Sequence, residues 1–213
     1  MSKRTRTILL IAMSVMVVGV YGLLLVLILR QPSGPELPPR QVTATPEEPL
    51  GTALEEYPRA EAAAQDWRDD ARLVGLNTAW SQPTEADLIA GPFAWSFQFF
   101  SPSASQIYDV VITNAGVAGT PGQTLEMTPT TIEAAEWQVD SSEAVLHFLA
   151  HEGRAFLAES HVTTVRLRLS SALSPGRVVW MVAALSSTER TGKSILVDAF
   201  SGDVEAAQPI PEP

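Results

Sequence analysis

The chain contains no cysteine among its 213 residues. Disulfide frameworks, thiolate zinc sites, iron–sulfur clusters and cysteine nucleophiles are therefore excluded. The compartment stays open, because a cysteine-free domain folds equally well inside or outside a cell. Histidine is scarce too, at three residues, and aromatic residues make up only 7%. Charge of one sign is missing from a whole region: all 24 acidic residues lie at Glu36 or beyond, and no charged residue occurs from Ile8 to Leu29.

That uncharged stretch, ILLIAMSVMVVGVYGLLLVLIL, has 22 residues. At about 1.5 Å per helical residue it is long enough to cross a hydrocarbon core of about 30 Å. It ends in Arg30-Gln31-Pro32 without a small-x-small cleavage site, and its apolar length exceeds that of a signal peptide, so an uncleaved signal anchor is expected. Lys3, Arg4 and Arg6 precede it and only Arg30 lies close on the other side. The excess of positive charge places residues 1–7 in the cytoplasm and residues 31–213 outside. Gly19 and Gly22 are three apart rather than four, so the small-xxx-small pairing pattern is missing, and the span carries no ionisable residue for an ion path. The expectation is a passive tether into the lipid bilayer.

Seven of the sixteen prolines fall between Pro32 and Pro58. Residues 30–53 read as a semi-rigid, extended stalk. Beyond Arg30 only 10 of the 14 basic residues remain against 24 acidic ones, a formal charge of −14 for residues 31–213. Nucleic-acid binding, which needs a basic patch, is excluded as a function class, and anionic headgroups would repel the outer region.

After the stalk, Tyr57, Ala60, Ala64, Trp67, Ala71 and Val74 recur at spacings of three and four, the stripe of a helix of about 15–20 residues packed on its own sheet. Trp95, Phe97 and Phe99 then alternate with Ala94, Ser96 and Gln98, as in a strand with one buried face. Ser101-Pro102-Ser103-Ala104-Ser105 breaks the run, Ile107 to Thr113 resumes it, and the pair is expected as a hairpin closed by Thr113-Asn114-Ala115-Gly116. The second half repeats the plan. Asp140-Ser141-Ser142-Glu143 is a helix start with a carboxylate three residues in, Ala144, Val145, Phe148 and Leu149 supply the apolar face, and Gly153 is expected to end the helix. Thr163 to Leu169, Val178 to Leu185 and Ser194 to Phe200 follow as three strands of a meander. Overlaying the halves puts Trp95 on Trp180 and Ile107-Tyr108-Asp109-Val110 near Ile195-Leu196-Val197-Asp198. Two divergent repeats of one unit, packed together through a shared or abutting sheet, are expected.

The segment from Asp140 to Val204, with Ser-Ser-Glu-Ala-Val opening a helix, Val179-Trp180-Met181-Val182, and the ending Ile195-Leu196-Val197-Asp198-Ala199-Phe200-Ser201-Gly202-Asp203-Val204, resembles a PepSY domain. The stretch from Tyr57 to Val117 resembles it less closely, because Thr113-Asn114-Ala115-Gly116 departs from the usual ending. The layout of basic tip, membrane helix and tandem units is similar to that of the membrane-anchored TseB-like cell-wall elongation regulators. The resemblance implies an α+β architecture: a transmembrane helix over 8–29, then two PepSY-like units over 54–130 and 131–206, each a helix on an antiparallel sheet of three or slightly more strands, with a disordered tail over 207–213. It implies a non-catalytic envelope protein that binds or regulates a membrane neighbour of the transpeptidase or peptidase class. The alternative is an accessory structural subunit of a larger membrane complex.

The residues offer little for catalysis, and no enzyme activity and no cofactor are expected. His147 and His151, four apart, would share a helix face as in helical zinc sites, with Glu152 and His161 as conceivable further ligands, but the order is not His-Glu-x-x-His. Surface histidines are the favoured reading and a pH response near neutrality the runner-up. Thr191-Gly192-Lys193-Ser194 lacks the glycine that a phosphate-binding loop needs at position 187 and is read as a hairpin turn. Asp69-Asp70 is read as solvated helix charge, and no Gly-x-Ser-x-Gly elbow occurs. Of the five tryptophans, Trp80 and Trp137 fall outside the clearest strands and are the candidates for a partner groove; an exposed sheet edge is a second route to a partner.

Overall fold

The computed structural model describes residues 48–174, 176–186 and 190–206. The basic tip, the apolar run over 8–29, the stalk up to residue 47 and the tail over 207–213 lie outside the described residues. Among the described residues no helix is long and apolar enough to cross a membrane.

Chain order is helix α1 (Ala53–Trp67), strand β1 (Arg72–Ser81), a short helix α2 (Glu85–Ala90), and strands β2 (Ala94–Ser101), β3 (Gln106–Thr113) and β4 (Gly116–Thr124). A 3-10 turn (Ala134–Glu136) leads to α3 (Ser141–Phe148), a π turn (Leu149–Gly153), α4 (Arg154–Glu159), and strands β5 (Thr164–Ser170), β6 (Val179–Ser186), β7 (Thr191–Asp198) and β8 (Val204–Ala206). All eight strands join one antiparallel sheet in the order β4-β3-β2-β1-β5-β6-β7-β8. The class is α+β. Each half is a helix followed by a four-stranded meander, and the halves meet where β1 pairs with β5, from Gly75 opposite Ser170 to Ser81 opposite Thr164. One sheet thus spans both expected units.

Local chemistry explains the helix starts. Thr52 caps α1: its hydroxyl accepts from the Glu55 amide, and the Glu55 carboxylate accepts from the Thr52 amide at 2.8 Å. Asp140 and Glu143 form the same reciprocal box on α3. The end of α1 falls earlier than its apolar stripe suggests. Arg68 is extended, and Asp69-Asp70 turns the chain so that Ala71 and Val74 belong to the entry and body of β1. Asp70 is therefore no helix-surface charge. Its carboxylate accepts from the Ser101 hydroxyl at 2.6 Å and the Ser103 amide at 2.8 Å, holding the β2–β3 turn, and these bonds lower its pKa. Gly153 does not end its helix, because its helical φ of −58° lets the chain run on through the π turn into α4. Glycine is needed there for space: a Cβ would lie 2.5 Å from the Phe148 carbonyl oxygen and 2.6 Å from its ring.

The hairpin β2–β3 pairs from Ala94 opposite Thr113 to Ser101 opposite Gln106. Beyond it, β4 adds a nine-residue edge of mostly small and polar side chains that lacks the alternating apolar pattern of a buried strand. Thr191-Gly192-Lys193-Ser194 opens strand β7 instead of forming the turn itself. The Val-Asp-Ala-x-Ser-Gly-Asp-Val ending makes the β7–β8 connection: the Asp198 carboxylate accepts from the amides of Phe200 and Ser201, and Gly202 takes a φ of +79°.

One face of the sheet carries the helices, with α1 over β2, β3 and β4 and α3 over β6 and β7. The core lies between. Register places Phe97 beside Leu76, Leu76 beside Leu169, Leu169 beside Trp180 and Trp180 beside Val197, a continuous apolar row across the middle of both halves.

Candidate functional site

The two helix starts converge. The first amide of α1, at Ala53, donates to Ser141 Oγ at 2.9 Å, and the next, at Leu54, donates to Asp140 Oδ1 at 3.2 Å. Free amides at a helix start need acceptors, and here the opposite helix provides two of them. Asp140 serves both helices, since its Oδ1 also accepts from the Ser141 amide at 2.6 Å.

Beside this junction lies a cleft of about 190 Å³ lined by Leu50, Trp80, Leu88, Ile89, Trp95 and Val145, with Glu55, Ser141 and Ser142 on its polar side. Helix α2 forms one wall, set by a further capping box in which Thr84 and Asp87 exchange bonds, and these lower the Asp87 pKa. An ion pair from Arg154 to Glu85 at 2.6 Å ties α4 to α2. The indoles are already satisfied: Trp80 Nε1 donates to the Gly91 carbonyl at 3.1 Å and Trp95 Nε1 to the Gly51 carbonyl at 3.0 Å. They present hydrocarbon rather than donors to the cleft. Ile89, 57% exposed, stands at the mouth, and Phe93 nearby in sequence is 45% exposed. With its lining carboxylate, Glu55, engaged in the α1 cap, the cleft is suited to seat one apolar side chain.

The two tryptophans expected at a partner groove are core residues. Trp80 is 5% exposed and only edges the cleft; Trp137 is 2% exposed. Trp137 packs edge-on between Tyr57 and Trp180, at ring distances of 5.6 Å and 5.9 Å. Its Nε1 and that of Trp180 donate to the same carbonyl, at Val139. Such an indole has no face to offer a partner. The Tyr57 hydroxyl, donating to Glu61 beside this aromatic row, has its pKa raised, first by burial. The apolar residues that do reach solvent, Ile89 and Phe93, lie on and after a six-residue helix too short to give a clear period, so pattern reading passes over them.

His147 and His151 come within 6.3 Å, ring centre to ring centre, and the His151 Nδ1 donates to the His147 carbonyl at 2.8 Å. The pair straddles the passage from α3 into the π turn, which alters the simple one-face geometry of a four-residue spacing. Among the described residues no group of three or more His, Asp or Glu is placed to hold a metal ion.

No protein-family model and no curated protein matches the chain. Among solved structures, a "putative lipoprotein" from Clostridium difficile 630 aligns over 72% of this chain and 92% of its own, at a TM-score of 0.49 and 13% identity.

Proposed function

We propose that this chain is a membrane-anchored, non-catalytic binding protein of the cell envelope, with PepSY-like halves that recognise or regulate another envelope protein of the transpeptidase or peptidase class. The observation that carries the reading is Ile89, an exposed apolar side chain at the mouth of a cleft walled by Leu50, Leu88, Trp80 and Trp95. Exposed apolar groups beside a preformed apolar recess are the usual anchor geometry of a protein interface. The 22-residue apolar run and its basic flank support a tether with residues 31–213 outside. The PepSY resemblance draws support from the like order of helix and meander in the two halves. It draws more from the Asp198-centred turn, which gives the Val-Asp-Ala-x-Ser-Gly-Asp-Val ending a structural purpose.

Co-purification of the full chain with an envelope transpeptidase or peptidase, in detergent, tests the reading. Ile89→Asp is expected to abolish it, while replacing residues 8–29 by an unrelated membrane helix leaves it intact. Loss on helix replacement with no effect of Ile89→Asp would instead establish an accessory subunit docked through its membrane helix.

A further inference from the structure

The face of the sheet opposite the helices carries a second feature. In β5, Val165, Leu167 and Leu169 point into the core while Arg166 and Arg168 are exposed on the other side. Two residues along a strand separate their Cα atoms by about 6.6 Å. Among the described residues neither guanidinium has a hydrogen bond or ion pair. By contrast, Arg59 pairs with Glu56, Arg154 with Glu85 and Arg177 with Asp198 and Glu205, while Arg72 donates to the carbonyls of Asp69 and Ala71.

The neighbours on this face are uncharged. Register sets Arg168 between Asn77 and Met181, and Arg166 between Ala79 and Ala183. Beyond them lie Ser96 and Leu196, then Val111, which is 38% exposed. The carboxylates farther out are committed: Asp109 accepts from Gln98 Nε2, and Asp198 and Glu205 pair with Arg177. Two uncompensated positive charges thus sit side by side among small, polar and partly buried apolar side chains, on a chain whose net charge is −10.

We propose that this open face docks an acidic segment of a partner protein, with two carboxylates about 7 Å apart pairing with Arg166 and Arg168 and apolar side chains resting on Met181 and Leu196. Charge complementarity selects that occupant. Arginine pairs carboxylates in a bidentate fork, and the interaction is local because salt screens charge beyond about 8 Å. A bilayer of anionic lipid presents charge over its whole extent and would meet the net negative charge of the outer region, whereas a short acidic segment meets only the two arginines. The inference does not depend on the cleft, since Ile89 lies on an element of the helix-bearing side and its substitution leaves this face unchanged.

The test uses the full chain in nanodiscs of neutral phosphatidylcholine and a fluorescent ten-residue oligoglutamate as probe, read by anisotropy, with phosphatidylglycerol vesicles as a second probe read by flotation. Salt-sensitive binding of oligoglutamate, weakened at least tenfold by Arg166→Gln with Arg168→Gln and unchanged by Arg59→Gln, is the expected result. The double variant should keep the wild-type melting temperature, because both side chains are exposed. Absence of oligoglutamate binding, equal binding by the double variant, or Arg166- and Arg168-dependent binding of the phosphatidylglycerol vesicles in place of the peptide would overturn the proposal.

Discussion

In the first half of the sheet the covering helix runs unbroken for 15 residues and turns a seam of Ala60 and Ala64 toward strands bearing Trp95, Phe97 and Phe99. In the second half the seam is Val145, Phe148 and Leu149, and the equivalent positions of β6 are Trp180, Val182 and Ala184. Volume has moved from strand to helix between the two halves. Close packing requires only that the space between the layers be filled, so a small helix seam over large strand residues and a large seam over small ones satisfy the same constraint. What has not changed is the polar link between strand and helix. Trp95 Nε1 donates to the carbonyl of Gly51, one residue before the cap of α1, and Trp180 Nε1 donates to the carbonyl of Val139, one residue before the cap of α3. The same indole bond fixes where each helix begins above its sheet.

The largest expected break in this comparison is Phe148→Ala. The ring is fully buried and fills the second half from the helix side, so its loss should cost about 3–5 kcal/mol in urea unfolding. The opposite change in the first half, Ala64→Leu, adds volume where the strands already fill the space. It should cost about 1–3 kcal/mol by the same measurement; a neutral result would show that the helix seams are not matched to their strands. Ser141→Ala tests the junction between the halves. It leaves the buried Ala53 amide without its acceptor and should cost about 1–2 kcal/mol, with reduced amide-exchange protection at the start of α1 as well as α3.

The smallest effect concerns the turn carboxylates, Asp70 in the first half and Asp198 in the second. Backbone bonds from the Ser201 and Phe200 amides, with Arg177 beside it, lower the Asp198 pKa, and bonds from Ser101 and Ser103 lower that of Asp70. A depressed carboxylate stabilises the fold fully above its unfolded value of about 3.9, and the contribution disappears as pH falls through the lower folded value. Urea midpoints should therefore fall as pH drops below about 4, and Asp198→Asn should flatten part of that slope. An unchanged slope in this variant would show that the second-half turn does not depend on the ionised group.

Much of this architecture is legible in the sequence because it depends on local pattern. The Trp95-Phe97-Phe99 alternation, the Asp140 and Glu143 box and the pairing of Trp95 with Trp180 between halves all follow from period and capping chemistry. Strand β1 is not legible, since Ala71 and Val74 continue the helical spacing by coincidence and the turn at Asp70 depends on Ser101 and Ser103, about 30 residues away. Strand β4 is hidden for another reason: at the edge of the sheet it needs no apolar alternation. Trp137 looks like a surface residue because its element is too short for a period, yet the Val139 carbonyl and the Tyr57 and Trp180 rings draw it into the core.

The sequence by itself determined the absence of thiol chemistry, the apolar run, the acidic balance of the chain beyond Arg30, the two helix starts and the repeated order of helix and strands, since each depends on composition or on contacts a few residues long. Only the tertiary structure decided that both halves share one sheet through β1 and β5, that Asp140 and Ser141 at the start of the second helix accept the first amides of α1, and that Arg166 and Arg168 stand unpaired on the open face. Those facts depend on which groups lie opposite one another across strands distant in sequence, and register of that kind is set by packing of the whole core.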